Sequence, residues 1–204
     1  MASGATELHP VERMVFFTDA VVAIAMTLLI LPLLESVTAA VREGLDTMGY
    51  LREHSGQLVA FALSFFIIGR FWRQHDRLFE NVTHQSRGLF VLNLVWMFTI
   101  VWLPVATAMV GAMQTDALQL AIYIGTMLAT SLITLAMQAL LLHRAAPDGQ
   151  PFDRTPLLPM LVTVGLFALA LLLALVVPGL HFWSLLILLL SNPAEWLLKR
   201  RKPA

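Results

Sequence analysis

A chain of 204 residues could form one or two water-soluble domains, but its composition argues against that: 58% of residues are hydrophobic types and 13% are charged. Soluble domains run at roughly 45–50% and about 25%. Lys plus Arg and Asp plus Glu balance at 13 each, so no net charge recruits nucleic acid. The absence of cysteine excludes a disulfide scaffold and a thiolate zinc site. What remains is a polytopic membrane protein.

A membrane helix needs about 20 mostly apolar residues. Six stretches meet that requirement: 15–35, 55–74, 87–112, 117–142, 157–178 and 180–198. The fold expected is therefore all-α, six transmembrane helices in a single domain over residues 1–204. The fourth and fifth spans are joined by a surface loop from Arg144 to Pro156, rich in Pro, Gly and Asp. The fifth and sixth are joined by Pro178-Gly179, which allows only a tight hairpin. Ser191-Asn192-Pro193 interrupts the last span, where proline removes a donor and crowds the preceding turn. No internal repeat is visible.

Orientation follows from the basic residues. With the amino terminus inside, the inside segments hold Arg13, then Arg70, Arg73, Arg77 and Arg87, then Arg144 and Arg154, then Lys199 to Lys202. Only Arg42 and Arg52 fall outside. Such a bias places both termini in the cytoplasm. Glu7 and Glu12 spoil a basic n-region, so the first fourteen residues do not read as a signal peptide. Lys199 to Lys202 with Trp196 reads as an anchor at the inner leaflet. Glu35 and Asp46 lie near the outer mouth, and His54, His143 and His181 lie at helix ends in contact with water. The methionines are spread through several spans as core filler.

The first span carries most of the chemistry. At about 100° per residue, Arg13, Ala20, Ile24, Thr27, Leu28, Leu31 and Glu35 share one sector, with Asp19 toward its flank. A cation at the inner end, an anion at the outer end and apolar residues between them suit a narrow ion path. Ordinary packing, with Arg and Glu snorkelling at helix ends, accounts for the same pattern, and periodicity alone favours it. A carboxylate inside a span is costly and normally finds protein partners. Asp19 lies roughly 6 Å past the inner end of its helix, counting 1.5 Å per residue. His75 near the end of the second span, and Asn93 and Trp96 in the third, reach a similar level. Thr18, Asp19, His75 and Asn93 are therefore expected to form a polar cluster fastening the first span to the next two, at ~1 kcal/mol per bond.

Arg13-x-x-x-Phe17-Thr18-Asp19 resembles the R-x-x-x-F-S-D signature that opens the first helix of the transmembrane protein 175 family of potassium channels. The run Ala20 to Pro32 continues the likeness, as do Phe65 to Phe79, including Trp72 and His75, then Asn93 and Pro104. The likeness is specific over the first half of the chain and only hydropathic in the last three spans. Thr18 replaces the signature serine, which keeps the hydroxyl but adds a methyl and stiffens χ1. The resemblance implies a cation channel without the carbonyl-lined filter of other potassium channels, and no T-V-G-Y-G run occurs. It implies that the first helix lines the pore, with Ile24 at the narrowest ring, Thr27 beside it, and Leu28 and Leu31 continuing the same face. Potassium is then the permeant ion, passing near Ile24 and Thr27, with no cofactor. A six-span chain without a repeat is similar to the prokaryotic members, which implies a homotetramer in the inner cell membrane.

Three other classes compete. An intramembrane enzyme needs paired catalytic groups at depth, and the spans hold one aspartate and no such pair. A secondary transporter usually carries repeats and helices broken at midplane, whereas the first span reads as unbroken from Arg13 to Leu31. Composition leaves open a non-conducting structural subunit.

Overall fold

The computed structural model describes residues 10–80, 82, 86–113, 116–143 and 157–176. All of the regular structure among them is helical: α1 (Pro10–Leu28), α2 (Leu31–Arg42), α3 (Thr47–Glu53), α4 (Ser55–Phe79), α5 (Arg87–Ala112), α6 (Ala117–His143) and α7 (Leu157–Val176). Five stretches are long and apolar enough to cross a membrane, with α1 and α2 together counting as one. The chain is a multi-pass helical membrane protein. The expected sixth span at 180–198 lies outside the described residues, as do Pro178-Gly179, His181, Trp196 and Lys199 to Lys202. The loop expected from Arg144 to Pro156 also lies outside them.

The third, fourth and fifth spans fall where the apolar runs put them. The second continues past residue 74 to Phe79. The first differs more. It begins at Pro10, stops at Leu28 and resumes at Leu31 after a turn at Leu29–Ile30. Pro32 has no N–H to return to the Leu28 carbonyl, so the α-helical ladder loses a rung there. Ile30 N–H instead closes a tighter bond on the Thr27 carbonyl at 3.3 Å, and Pro32 is accommodated in the first turn of α2. The expectation of an unbroken first span is corrected on this point.

The segment after α2 turns back by a Schellman arrangement. Gly44 N–H donates to the Val41 carbonyl, Leu45 N–H donates to Ala40, and Gly44 sits at φ +73°. Asp46 then caps α3, accepting the Gly49 N–H at 2.7 Å. Neither α3 nor this turn was expected from the hydropathy. His54, which joins α3 to α4, stacks on Tyr50 at 4.7 Å and is half-buried rather than simply bathed in water.

The centre of the bundle is α5, which packs against α1, α4 and α6, while α6 packs against α7. Trp96, Ile100 and Leu103 of α5 are fully buried, with Tyr123 and Met127 of α6 and Ile68 of α4. Phe71 of α4 meets Phe167 of α7 with ring centroids 5.7 Å apart. The outer surface is itself apolar: Phe66, Phe98, Leu118 and Leu172 are all well exposed. A surface of that kind is unsuited to water and suited to lipid.

Candidate functional site

The residues that face inward from α1 are Val11, Met14, Thr18, Val22 and Ala25, a stripe at three- and four-residue spacing that seats the helix on α4 and α5. Thr18 is its polar member. Its hydroxyl donates to the Met14 carbonyl at 2.9 Å and accepts from Asn93 Nδ2 at 2.9 Å. Asn93 Oδ1 is 2.7 Å from His75 Nε2. An amide oxygen only accepts, so the imidazole donates there, and its proton is placed on Nε2. The His75 ring lies between Phe79 and Trp96, with centroids 4.5 and 4.4 Å away. Trp96 Nε1 in turn donates to Thr134 Oγ1 at 3.0 Å. All three members of the chain, Thr18, Asn93 and His75, are fully buried. Because all three are buried from solvent, each lost partner would leave an unsatisfied polar group, so the relay fixes the relative height of α1, α4 and α5.

Asp19 does not join this relay. Its carboxylate accepts from Trp72 Nε1 at 2.8 Å, making a separate clamp between α1 and α4 beside the first. The expected four-residue cluster is thus two neighbouring devices. One residue of helix rotation separates them, because Thr18 points into the bundle and Asp19 to its edge. Trp72 is partly exposed, so this clamp borders the open face of the helix.

The stripe singled out in the first span lies wholly on that open face. Arg13, Ala20, Ile24, Thr27, Leu28, Leu31 and Glu35 are all exposed, as is Phe17 of the signature. Ile24 is 58% exposed, Leu31 49% and Leu28 39%, whereas Leu29, one step round the helix, is 2% exposed. Thr27 Oγ1 donates to the Ile24 carbonyl at 2.7 Å. Its proton is occupied by the helix, so the lone pairs of the oxygen are what it can offer outward. At the carboxyl end of α1, Gln57 Nε2 donates to the Pro32 carbonyl at 3.1 Å and steadies the break between α1 and α2. Gly111 of α5 allows this approach, since a Cβ there would meet Gln57 Cγ at 2.7 Å.

A polar ladder deeper in the bundle escaped the sequence reading. Ser64 Oγ lies 2.7 Å from the Tyr123 hydroxyl and accepts from Thr107 at 2.8 Å, while Thr130 donates to Thr99 at 2.9 Å. The signal was present as Thr126, Thr130 and Thr134 at four-residue spacing, one face of a helix. Among the described residues no cluster of His, Asp and Glu could hold a metal ion.

Comparison with known proteins places the sequence. The family model described as endosomal/lysosomal potassium channel TMEM175 matches residues 13–104, which run from the signature arginine to Pro104 within α5. A protein of Streptomyces collinus described as a potassium channel is 33% identical over 149 residues, covering 69% of this chain and 67% of that protein. A Chryseobacterium potassium channel is 29% identical over 99 residues, 48% of each chain. The human endosomal/lysosomal proton channel TMEM175 is 30% identical over 93 residues, 46% of this chain and 18% of that much longer protein. No solved structure matches. With the family model matching from Arg13 to Pro104 and a relative 33% identical matched over two thirds of its own length, the chain belongs to the TMEM175 family.

Proposed function

We propose that the chain is the subunit of a potassium-permeable cation channel, with α1 of four copies surrounding the pore. One observation carries this reading. Among the described residues, the face of α1 that bears Ile24, Thr27, Leu28 and Leu31 is exposed, while the inward face is fastened by the Thr18–Asn93–His75 relay and the edge by the Asp19–Trp72 clamp. A helix held rigidly by one side and presenting branched apolar groups on the other suits a narrow, reproducible ring. Lipid alone could cover such a face, but membership of a channel family makes an assembled pore the better account.

The ring works by dehydration. Four Ile24 side chains offer no ligand, so an ion passing them sheds part of its water without replacement, and an apolar constriction of this kind also gates by dewetting. Potassium holds its water less tightly than sodium and passes at lower cost. Beside the ring, four Thr27 oxygens, their protons engaged by the Ile24 carbonyls, supply partial ligands. Selectivity is then the difference between two dehydration costs and is modest. Arg13, Arg70, Arg73, Arg77 and Arg87 all belong to the inner ends of their helices, which supports cytoplasmic termini.

The test is purified protein in liposomes under opposed potassium and sodium gradients. Passive current whose reversal potential favours potassium supports the reading. Saturable flux coupled to a second solute would make the protein a transporter, and silence from correctly inserted protein would make it a non-conducting subunit.

A further inference from the structure

One face of α4 changes character along its length. At 100° per residue, Val59, Phe66, Arg70, Arg73 and Arg77 fall within about 60° of one another. Toward the amino end this sector is apolar, with Val59 63% and Phe66 74% exposed. Toward the carboxyl end it is basic, with Arg73 and Arg77 exposed and Arg70 half-buried. The neighbouring helices bound the sector without covering it. On one side Trp72 holds Asp19 of α1, and on the other Phe71 packs on Phe167 of α7. Arg70 Nη2 faces Thr163 Oγ1 of α7 at 3.5 Å, which closes that edge.

The bond between His75 and Asn93 sets the height of this run in the bundle. Asn93 follows Arg87, the first residue of α5, by roughly 9 Å at 1.5 Å per residue. Arg77 then lies roughly 6 Å and Arg73 roughly 12 Å from that end of α5. The 26 residues of α5 span roughly 39 Å, about 9 Å more than the hydrocarbon core. Arg77 is therefore at the boundary between headgroups and hydrocarbon, and Arg73 is just inside it. Phe66 and Val59 run on from there through the hydrocarbon. Arg73 and Arg77 stand one helical turn apart, a spacing at which like charges repel. Among the described residues neither has an ion-pair or hydrogen-bond partner, although Asp76 and Glu80 are the next acids along the helix. An uncompensated cation at this depth is costly. An anion held between the two guanidinium groups removes the repulsion and the cost together, and the guanidinium fork matches a phosphate through two parallel bonds.

We propose that this face of α4 binds an anionic phospholipid: Arg73 and Arg77 hold the headgroup phosphate, and an acyl chain runs along Phe66 toward Val59. The order of the face, basic at the interface and apolar through the core, is the order of such a lipid. A zwitterionic headgroup brings its own ammonium toward the arginines and is held less well. Arg70, turned to Thr163, adds positive charge beside the pair and favours the anionic lipid further. The site is separate from the exposed stripe of α1 and does not depend on the pore reading.

The test uses the purified full-length chain and native mass spectrometry from detergent micelles, with phosphatidylglycerol and phosphatidylcholine of matched chains as probes. Wild type is expected to retain phosphatidylglycerol over phosphatidylcholine by on the order of tenfold, a comparison that needs no variant. The double variant Arg73→Gln/Arg77→Gln is expected to lose that preference. Arg42→Gln/Arg52→Gln removes the same charge from α2 and α3 and is expected to keep it. Equal retention of the two lipids by wild type overturns the proposal. So does equal loss in both double variants, which would make net charge the cause. Displacement of phosphatidylglycerol by excess inorganic phosphate gives the site to a free anion and overturns the lipid assignment. Loss of a wild-type oligomer in Arg73→Gln/Arg77→Gln, with no lipid preference in wild type, gives the face to a second copy and overturns it too.

Discussion

Replacing Ile24 with asparagine separates the pore account from ordinary packing. The side chain is 58% exposed and is not one of the buried residues that seat α1, so the fold loses little. The Thr27 bond goes to the backbone carbonyl of residue 24 and survives any side chain there. In an assembled ring, four amides replace four branched alkyl groups at the dehydrating step. Each amide can hydrogen-bond the ion's water, and one such bond is worth about 1 kcal/mol net. A barrier lower by that much raises conductance roughly fivefold, because 1.4 kcal/mol corresponds to tenfold. Sodium gains more than potassium, since it was the more heavily penalised ion. Single-channel recording with potassium on one side and sodium on the other should therefore show larger current and a reversal potential moved toward zero. The companion change Leu29→Asn buries an unpaired amide at a site 2% exposed. It should cost about 1–3 kcal/mol of stability, seen as less folded protein and no new selectivity. Unaltered selectivity in Ile24→Asn channels present at normal density would refute the reasoning.

Other changes test the scaffold. Asn93→Leu removes the middle of the relay and strands both Thr18 and His75, so the melting temperature in detergent should fall by the equivalent of about 2–3 kcal/mol; a wild-type melt would show that the relay does not hold α1. Asp19→Asn keeps a neutral acceptor for Trp72 but loses the charge-assisted part of the bond. It should weaken assembly modestly, on the order of 1 kcal/mol, and a double-mutant cycle with Trp72→Phe should show coupling; additive effects would deny the clamp. Gly111→Ala should displace Gln57 from Pro32 and lower thermal stability, while Gly165→Ala, where a Cβ meets nothing, should be neutral.

The legible part of this chain was what hydropathy and spacing encode. Residues 87–112 are predominantly apolar, with Ser86 accepting the Leu89 N–H, and the helix begins and ends there. The face of Ile24, Thr27 and Leu31 was readable because a single rotation of the helix sorts it from Val22, Ala25 and Leu29. The partners of Asp19 were not readable. Depth alone put Asp19, His75 and Asn93 together, but rotation decides which neighbour a carboxylate meets, and that left Trp72 for Asp19 and Thr18 for Asn93. The break at Leu29–Ile30 was hidden because the apolar run 15–35 passes through Pro32 without interruption, whereas the missing N–H of Pro32 acts on the turn before it. The hydroxyl pairs of Ser64, Thr107 and Tyr123 depend on which spans are neighbours, which no local pattern states.

The central claim is that α1 lies at the axis of a fourfold assembly. Imaging of the purified full-length particle in lipid nanodiscs tests it directly. The account predicts four copies around one axis, with Ile24 side chains meeting at the narrowest point and Leu29 turned away. A stable monomer, or an axis lined by α6 or α7 with Ile24 facing lipid, would contradict it.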